Sequence, residues 1–307
     1  MTPERALLVD IDNSTKRKSE YPNLALMKIA SRVKADGGIA SFNVFDPTNI
    51  YISVVFDYNL NLAKSSAKFL SLTYPNATID LGGSGYDISK TLDDRTEKQT
   101  PDYTLYPDID YSLGFTSRGC VRNCEFCIVR KKEGSFRIAQ HPSEFHNPEF
   151  RKIVLMDNNI LANKDWFFDI TDWILENRLK VDFNQGLDIR LMDPEIADRL
   201  AKLHPISVWR FAYDSTDYSK AVYHGIQTLA DNGVSVRNDC QFYVYLSGDN
   251  CFDDALRRCK ELKNWGTTPY LMVNTHAERT QRIRNLARWC RPWLFWSIDY
   301  ENYKAEL

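Results

Sequence analysis

The sequence has no histidine before His141 and no cysteine before Cys120. The first absence leaves no histidine-based metal site in that stretch, and the second leaves no disulfide framework there. The seven cysteines are an odd count confined to the remainder of the chain, a distribution that suits a reducing cytoplasm better than an oxidising compartment. No apolar run approaches the roughly 20 residues that a membrane-spanning helix needs. Met1-Thr2-Pro3-Glu4-Arg5 lacks the pattern of a secretory leader. Neither charge sign dominates, and a net charge of -2 with a pI near 6.2 gives no global attraction to nucleic acid or anionic membranes. Gly82-Gly83-Ser84-Gly85 lacks the spacing of a dinucleotide fingerprint and reads as a turn.

What is present is a folded chain. With 43% hydrophobic and 26% charged residues over 307 positions, the composition is that of a globular protein with room for one large or two modest domains. Its most informative stretch is Cys120-Val121-Arg122-Asn123-Cys124-Glu125-Phe126-Cys127. Three thiols spaced C-x3-C-x2-C follow the strand-like run Tyr111 to Ser117 and a polar turn at Ser117-Arg118-Gly119. Three ligands are one too few for a closed tetrahedral metal site, but they suit a [4Fe-4S] cube held at three corners with one iron open. A structural zinc knuckle or disulfides remain the alternative.

On these residues the chain resembles the radical S-adenosylmethionine (SAM) superfamily, whose core motif is C-x3-C-x-aromatic-C. Cys120, Cys124 and Cys127 match the ligand positions and Phe126 the aromatic. The resemblance implies a [4Fe-4S] cluster whose open iron is chelated by SAM, and reductive cleavage to a 5'-deoxyadenosyl radical. It also implies an external one-electron donor of the flavodoxin or ferredoxin type. The substrate expected is a small molecule or a peptide.

Residues 1–108 read as a small, Rossmann-like parallel α/β domain. Strand-like runs at 4–11, Ser41 to Phe45, Tyr51 to Phe56 and Ala77 to Leu81 alternate with helical periodicity over Leu24 to Ala35 and Asn61 to Leu72, and Lys16-Arg17-Lys18 falls in a loop. The layout resembles the cobalamin-binding domain that precedes many radical SAM cores, at Tyr21-Pro22-Asn23-Leu24-Ala25-Leu26 and at Gly82-Gly83. That family's cobalt-ligating histidine has no counterpart here, so cobalamin is not expected. The polar, proline-punctuated residues 87–108 mark the boundary.

Residues 109–307 read as regular β/α units, with strands at Lys152 to Met156, Lys180 to Asn184, Ser207 to Tyr213, Gln241 to Leu246 and Pro269 to Val273. The intervening helices run over Lys164 to Asn177, Pro194 to Leu203, Ser219 to Asn232, Asp253 to Asn264 and Glu278 to Trp289. With the strand before the cysteines, this predicts a partial (β/α)6 barrel whose working face lies at the strands' C-terminal ends. There the resemblance implies cofactor contacts from Asp157 and Asn158, Arg210 and Ser215, Gly248, and Asn274. Asp157 suits an ammonium, and the Arg210 fork suits a carboxylate. Asp157-Asn158-Asn159 could equally be a turn with a helix cap, and Asp188 with Arg190 either a ligand-orienting pair or an internal ion pair.

Cys240, Cys251, Cys259 and Cys290 have no compact ligand spacing and read as ordinary thiols. Arg279 to Arg291, interleaved with Trp289 and Trp293, could meet RNA by phosphate contact and stacking, or be a solvated helix face. An RNA-modifying radical enzyme of the methylthiolating type is therefore one alternative function, although the net charge does not favour it. A non-catalytic iron–sulfur or zinc-bearing protein is the other.

Overall fold

The computed structural model describes residues 3–15 and 21–303, so the Lys16-Arg17-Lys18 loop lies outside the described residues. The fold is mixed α/β with parallel sheets and divides into two compact units. The first unit holds Met1–Phe115, Arg122–Ser135 and Ala139–Arg151; the second holds Thr116–Val121, Phe136–Ile138 and Lys152–Leu307. Among the described residues no helix is long and apolar enough to cross a membrane.

The first unit is built on a four-stranded parallel sheet. Arg5–Asp10 lies between Ile39–Ser41 and Asn49–Ser53, and Thr78–Gly82 pairs on the far side of Asn49–Ser53. Alternation along Arg5–Asp10 sends Ala6 and Leu8 to one core and Leu7 to another on the opposite face. Helix Leu24–Ala35 covers the Ala6–Leu8 side with Leu26, Ile29, Ala30 and Val33, spaced on one face at helical period. Asn23 starts it by accepting from the Leu26 N–H at 3.2 Å. Gly37 ends it with φ +79°, donating to the Lys34 carbonyl while Gly38 donates to that of Val33. That pair of hydrogen bonds needs a left-handed residue at the turn, which glycine supplies without strain. Helix Leu60–Thr73 differs: only Ala63 is buried, and Phe69 and Leu72 are 67% and 76% exposed.

Two strands begin earlier than their residue types suggest. The run expected over Tyr51 to Phe56 pairs as Asn49–Ser53. The run expected over Ser41 to Phe45 pairs only at Ile39–Ser41, because its register is set opposite Arg5 to Leu7 and the chain then turns at Asp46, φ 48°. Phe45 is left 92% exposed. The Gly82-to-Gly85 stretch is a packed turn: a Cβ on Gly83 would lie 2.2 Å from the Val54 carbonyl oxygen.

In the second unit Lys152–Leu155, Lys180–Phe183 and His204–Pro205 form one parallel set. Trp209–Ala212, Cys240–Leu246 and Thr268–Val273 form another. A parallel bridge, Leu187 to Phe211, joins the loop after Lys180–Phe183 to the second set. Helices Lys164–Glu176, Pro194–Lys202, Ser219–Asp231, Phe252–Asn264 and Gln281–Trp289 alternate with these strands. Asp193 caps Pro194–Lys202 through the Ile196 N–H at 2.9 Å, with proline at the first turn where no donor is needed. Along Cys240–Leu246 every second residue is buried, and Gln241, Tyr243 and Tyr245 between them are half-buried. One face therefore packs into the core while the other is lined by polar and aromatic groups. Arg258, 1% exposed, ties the ends of two strands by donating to the Tyr213 and Tyr245 carbonyls at 2.7 and 2.9 Å.

Candidate functional site

The chain approaches the cysteine motif through a pinned segment. Asp157, just past the end of Lys152–Leu155, is 4% exposed and accepts from the Thr116 N–H at 3.1 Å and the Thr116 hydroxyl at 2.7 Å. It also accepts from the N–H and hydroxyl of Ser117. Burial pushes the Asp157 carboxyl up, against the pull of those four donors. Trp166 adds an indole N–H to the Thr116 carbonyl at 3.1 Å. Ser117–Arg118 then pairs antiparallel with Arg137–Ile138, and Gly119 turns the backbone at φ +75° directly into Cys120. These two-residue strands are too short to carry a periodic signal, so nothing in the residue pattern announces the hairpin.

Downstream, Cys127 donates its N–H to the Cys124 carbonyl at 3.0 Å, so Cys124-Glu125-Phe126-Cys127 forms a tight turn. Cys120, Cys124 and Cys127 are thiols outside any disulfide and of intermediate exposure, and Phe126 is 47% exposed. Among the described residues no three His, Cys, Asp or Glu side chains converge as a single-ion site.

Beside Cys120 lies a group that spacing alone does not single out. Asn159 is 3% exposed, and its Nδ2 faces the Cys120 Sγ at 3.7 Å and Asp188 Oδ2 at 3.4 Å. Its Oδ1 is buried with no hydrogen-bond donor among the described residues, a state that costs about 1–3 kcal/mol unless a ligand supplies one. In donor chemistry, three thiols within one short run suit a thiolate-ligated cluster, and the buried Asn159 acceptor beside Cys120 suits a donor-bearing ligand. The signal was the polar run Asp157-Asn158-Asn159, but strand period cannot say which member is spent on the backbone.

The other residues marked from the sequence are dispersed in role. Asn158 is half-buried next to this pair. Asp157 has its acceptor capacity committed to Thr116 and Ser117, so it serves as a brace for the loop. Arg210 is the second residue of its strand, and its guanidinium pairs with Asp182 on the neighbouring one. Ser215 caps a short turn by accepting from the Asp217 N–H at 3.2 Å. Gly248 is extended, and an added Cβ would meet only the Asn250 side chain at 3.1 Å. Its Asp249 neighbour accepts from the Thr280 hydroxyl at 2.8 Å. Asn274 donates to the Tyr245 hydroxyl at 2.9 Å and accepts from the His276 N–H at 2.9 Å.

Asp188 and Arg190 do form an ion pair, through Nε at 2.6 Å and the NH2 group at 3.1 Å. Asp214, also at these strand ends, has its carboxyl pushed up by burial despite the nearby Arg258. In the segment considered for RNA, Trp289 is fully buried with Ile283 and Leu286, so stacking on a base is open only to Trp293, 64% exposed. Arg282 lies over the Phe252 ring and pairs with Asp249 and Asp253. Cys240, Cys259 and Cys290 are buried and Cys251 is partly so, and the Cys259 and Cys290 sulfurs lie 3.7 Å apart.

Neither the family models nor the curated proteins compared with the sequence match it.

Proposed function

We propose that the chain is a radical SAM enzyme with a partial (β/α)6 barrel as its core. The observation that carries this reading is the conjunction at Cys120. The first thiol of a C-x3-C-x2-C run leaves a braced loop, next to a buried asparagine acceptor that has no donor among the described residues. Cys120, Cys124 and Cys127 would hold a [4Fe-4S] cluster, and the chemistry it would supply is one-electron reductive cleavage of SAM.

The chain's own residues do the remaining work. Asp157 holds Thr116 and Ser117 so that the loop keeps one course into the motif. Asn159 Oδ1, which has no donor among the described residues, would accept an N–H such as the ammonium of an amino-acid-like cofactor offers. The half-buried face of Gln241, Tyr243 and Tyr245 offers aromatic surface and hydroxyls to orient a small-molecule or peptide substrate. The electron comes from an external donor of the flavodoxin or ferredoxin type.

The test is anaerobic. Protein reconstituted with iron and sulfide, reduced with dithionite and given SAM is expected to release 5'-deoxyadenosine, with no release from Cys124→Ala. Stoichiometric zinc at the motif, or an intact reduced cluster that leaves SAM uncleaved, would contradict the enzyme reading.

A further inference from the structure

We infer that Asn159 sets the reduction potential of the proposed cluster by donating its amide N–H to the Cys120 thiolate. The inference rests on the reading of Cys120 as a cluster ligand, and gives the Asn159 nitrogen a role separate from that of its oxygen. An asparagine amide has two N–H donors on one side and an acceptor on the other. Here Nδ2 faces two electron-rich atoms, Cys120 Sγ at 3.7 Å and Asp188 Oδ2 at 3.4 Å. The flipped amide would set its oxygen against a carboxylate and a sulfur, so the donor orientation is the only compatible one.

That orientation is itself enforced. Asp188 is 8% exposed and held by the Arg190 fork, and the Arg190 guanidinium lies 4.5 Å from the centroid of the Tyr218 ring. The short helical turn Ile160–Ala162 that Asn159 precedes takes no side-chain cap from it. Capping, the ordinary structural use of an asparagine at this position, is therefore not its role. With Asn159 3% exposed, its dipole acts in a medium where water screens little. Reduction adds negative charge to the cluster and its sulfurs. An N–H aimed at one of them stabilises the reduced form and raises the potential. Asn159 would thereby bring the cluster within reach of a biological electron donor.

The experiment is an EPR-monitored redox titration of reconstituted wild-type, Asn159→Leu and Asn159→Asp protein, with iron and sulfide assayed alongside. The expected result is a lower midpoint potential in Asn159→Leu and a still lower one in Asn159→Asp, which replaces the donor by a negative group, at unchanged cluster content. Equal midpoints in all three proteins overturn the inference while leaving the enzyme reading intact. If neither variant assembles a cluster, wild-type protein carrying asparagine labelled with 15N in its side-chain amide decides by pulsed EPR. A nitrogen coupling to the reduced cluster supports the bond, and its absence refutes it. A wild type that takes up no cluster refutes the underlying reading, and this inference with it.

Discussion

Both units place polar side chains at the C-terminal ends of parallel strands, and they use them oppositely. In the first unit the described groups there are spent on their neighbours. Asp10 accepts from Tyr106 at 2.6 Å and Asn13 at 2.7 Å. Asp12 accepts from the Val55 N–H at 2.6 Å and Asn59 at 2.8 Å, and Asn23 donates to Ser53 at 2.8 Å. In the second unit one such group is left incomplete: Asn159 Oδ1 has no donor among the described residues. A topology that favours ligand sites at strand ends does not make one, because a site needs groups whose bonding remains incomplete. By that measure the strand ends of the second unit's sheets are the place to look for chemistry, and the sheet of the first unit reads as scaffold. Cys124 and Cys127 belong to a separate segment of that first unit, Arg122–Ser135.

The largest effect that could break this comparison is loss of the motif thiols. Cys120→Ala, Cys124→Ala and Cys127→Ala are each expected to abolish cluster uptake and SAM cleavage. Cys240→Ala and Cys251→Ala should leave iron content unchanged, as metal analysis after reconstitution would show. Asp157→Ala comes next. It strands the buried N–H groups of Thr116 and Ser117, so a loss on the order of 3–5 kcal/mol is expected in urea unfolding, at about 1–3 kcal/mol per orphaned donor. Asp10→Asn, which keeps an acceptor at the corresponding place in the first unit, should cost under about 2 kcal/mol and leave cluster content untouched.

Smaller effects sharpen the scaffold reading. Gly83→Ala drives a Cβ to 2.2 Å from the Val54 carbonyl oxygen at φ +98°. It should therefore lose about 2–3 kcal/mol of stability without altering SAM cleavage. A ligand role for that turn would instead show as lost activity in a stable protein. The smallest effect expected is that of Asp193→Ala, about 1 kcal/mol for a lost helix cap. Burial works upward on this carboxyl, but Lys164 and the Ile196 N–H hold it below its ordinary value. Its contribution is thus complete above about pH 4 and is lost as pH falls through the lowered value. The stability difference between wild type and Asp193→Ala should shrink on acidification.

Long periodic elements were readable in advance: helix Leu24–Ala35 falls where its apolar spacing predicts, and the Asp193–Pro194 helix start holds. The β/α alternation emerged as two parallel sets of strands, with His204–Pro205 pairing as a two-residue strand too short for any pattern to announce. Of the site, spacing showed which residues come near strand ends and no more. Which polar group is consumed depends on partners distant in sequence. Asp157 meets Thr116, Arg210 meets Asp182, and Asn159 turns its nitrogen to Cys120 and Asp188 while its oxygen has no donor among the described residues. Trp289 is a similar case, since its helix face is decided by packing with Ile283 and Leu286.

The most direct test of the central claim is the EPR spectrum of the anaerobically reconstituted, reduced protein recorded with and without SAM. An open-iron cluster on Cys120, Cys124 and Cys127 predicts a reduced-cluster signal whose g-values change when SAM binds. A signal indifferent to SAM, or no cluster signal from protein with all three thiols intact, would contradict it.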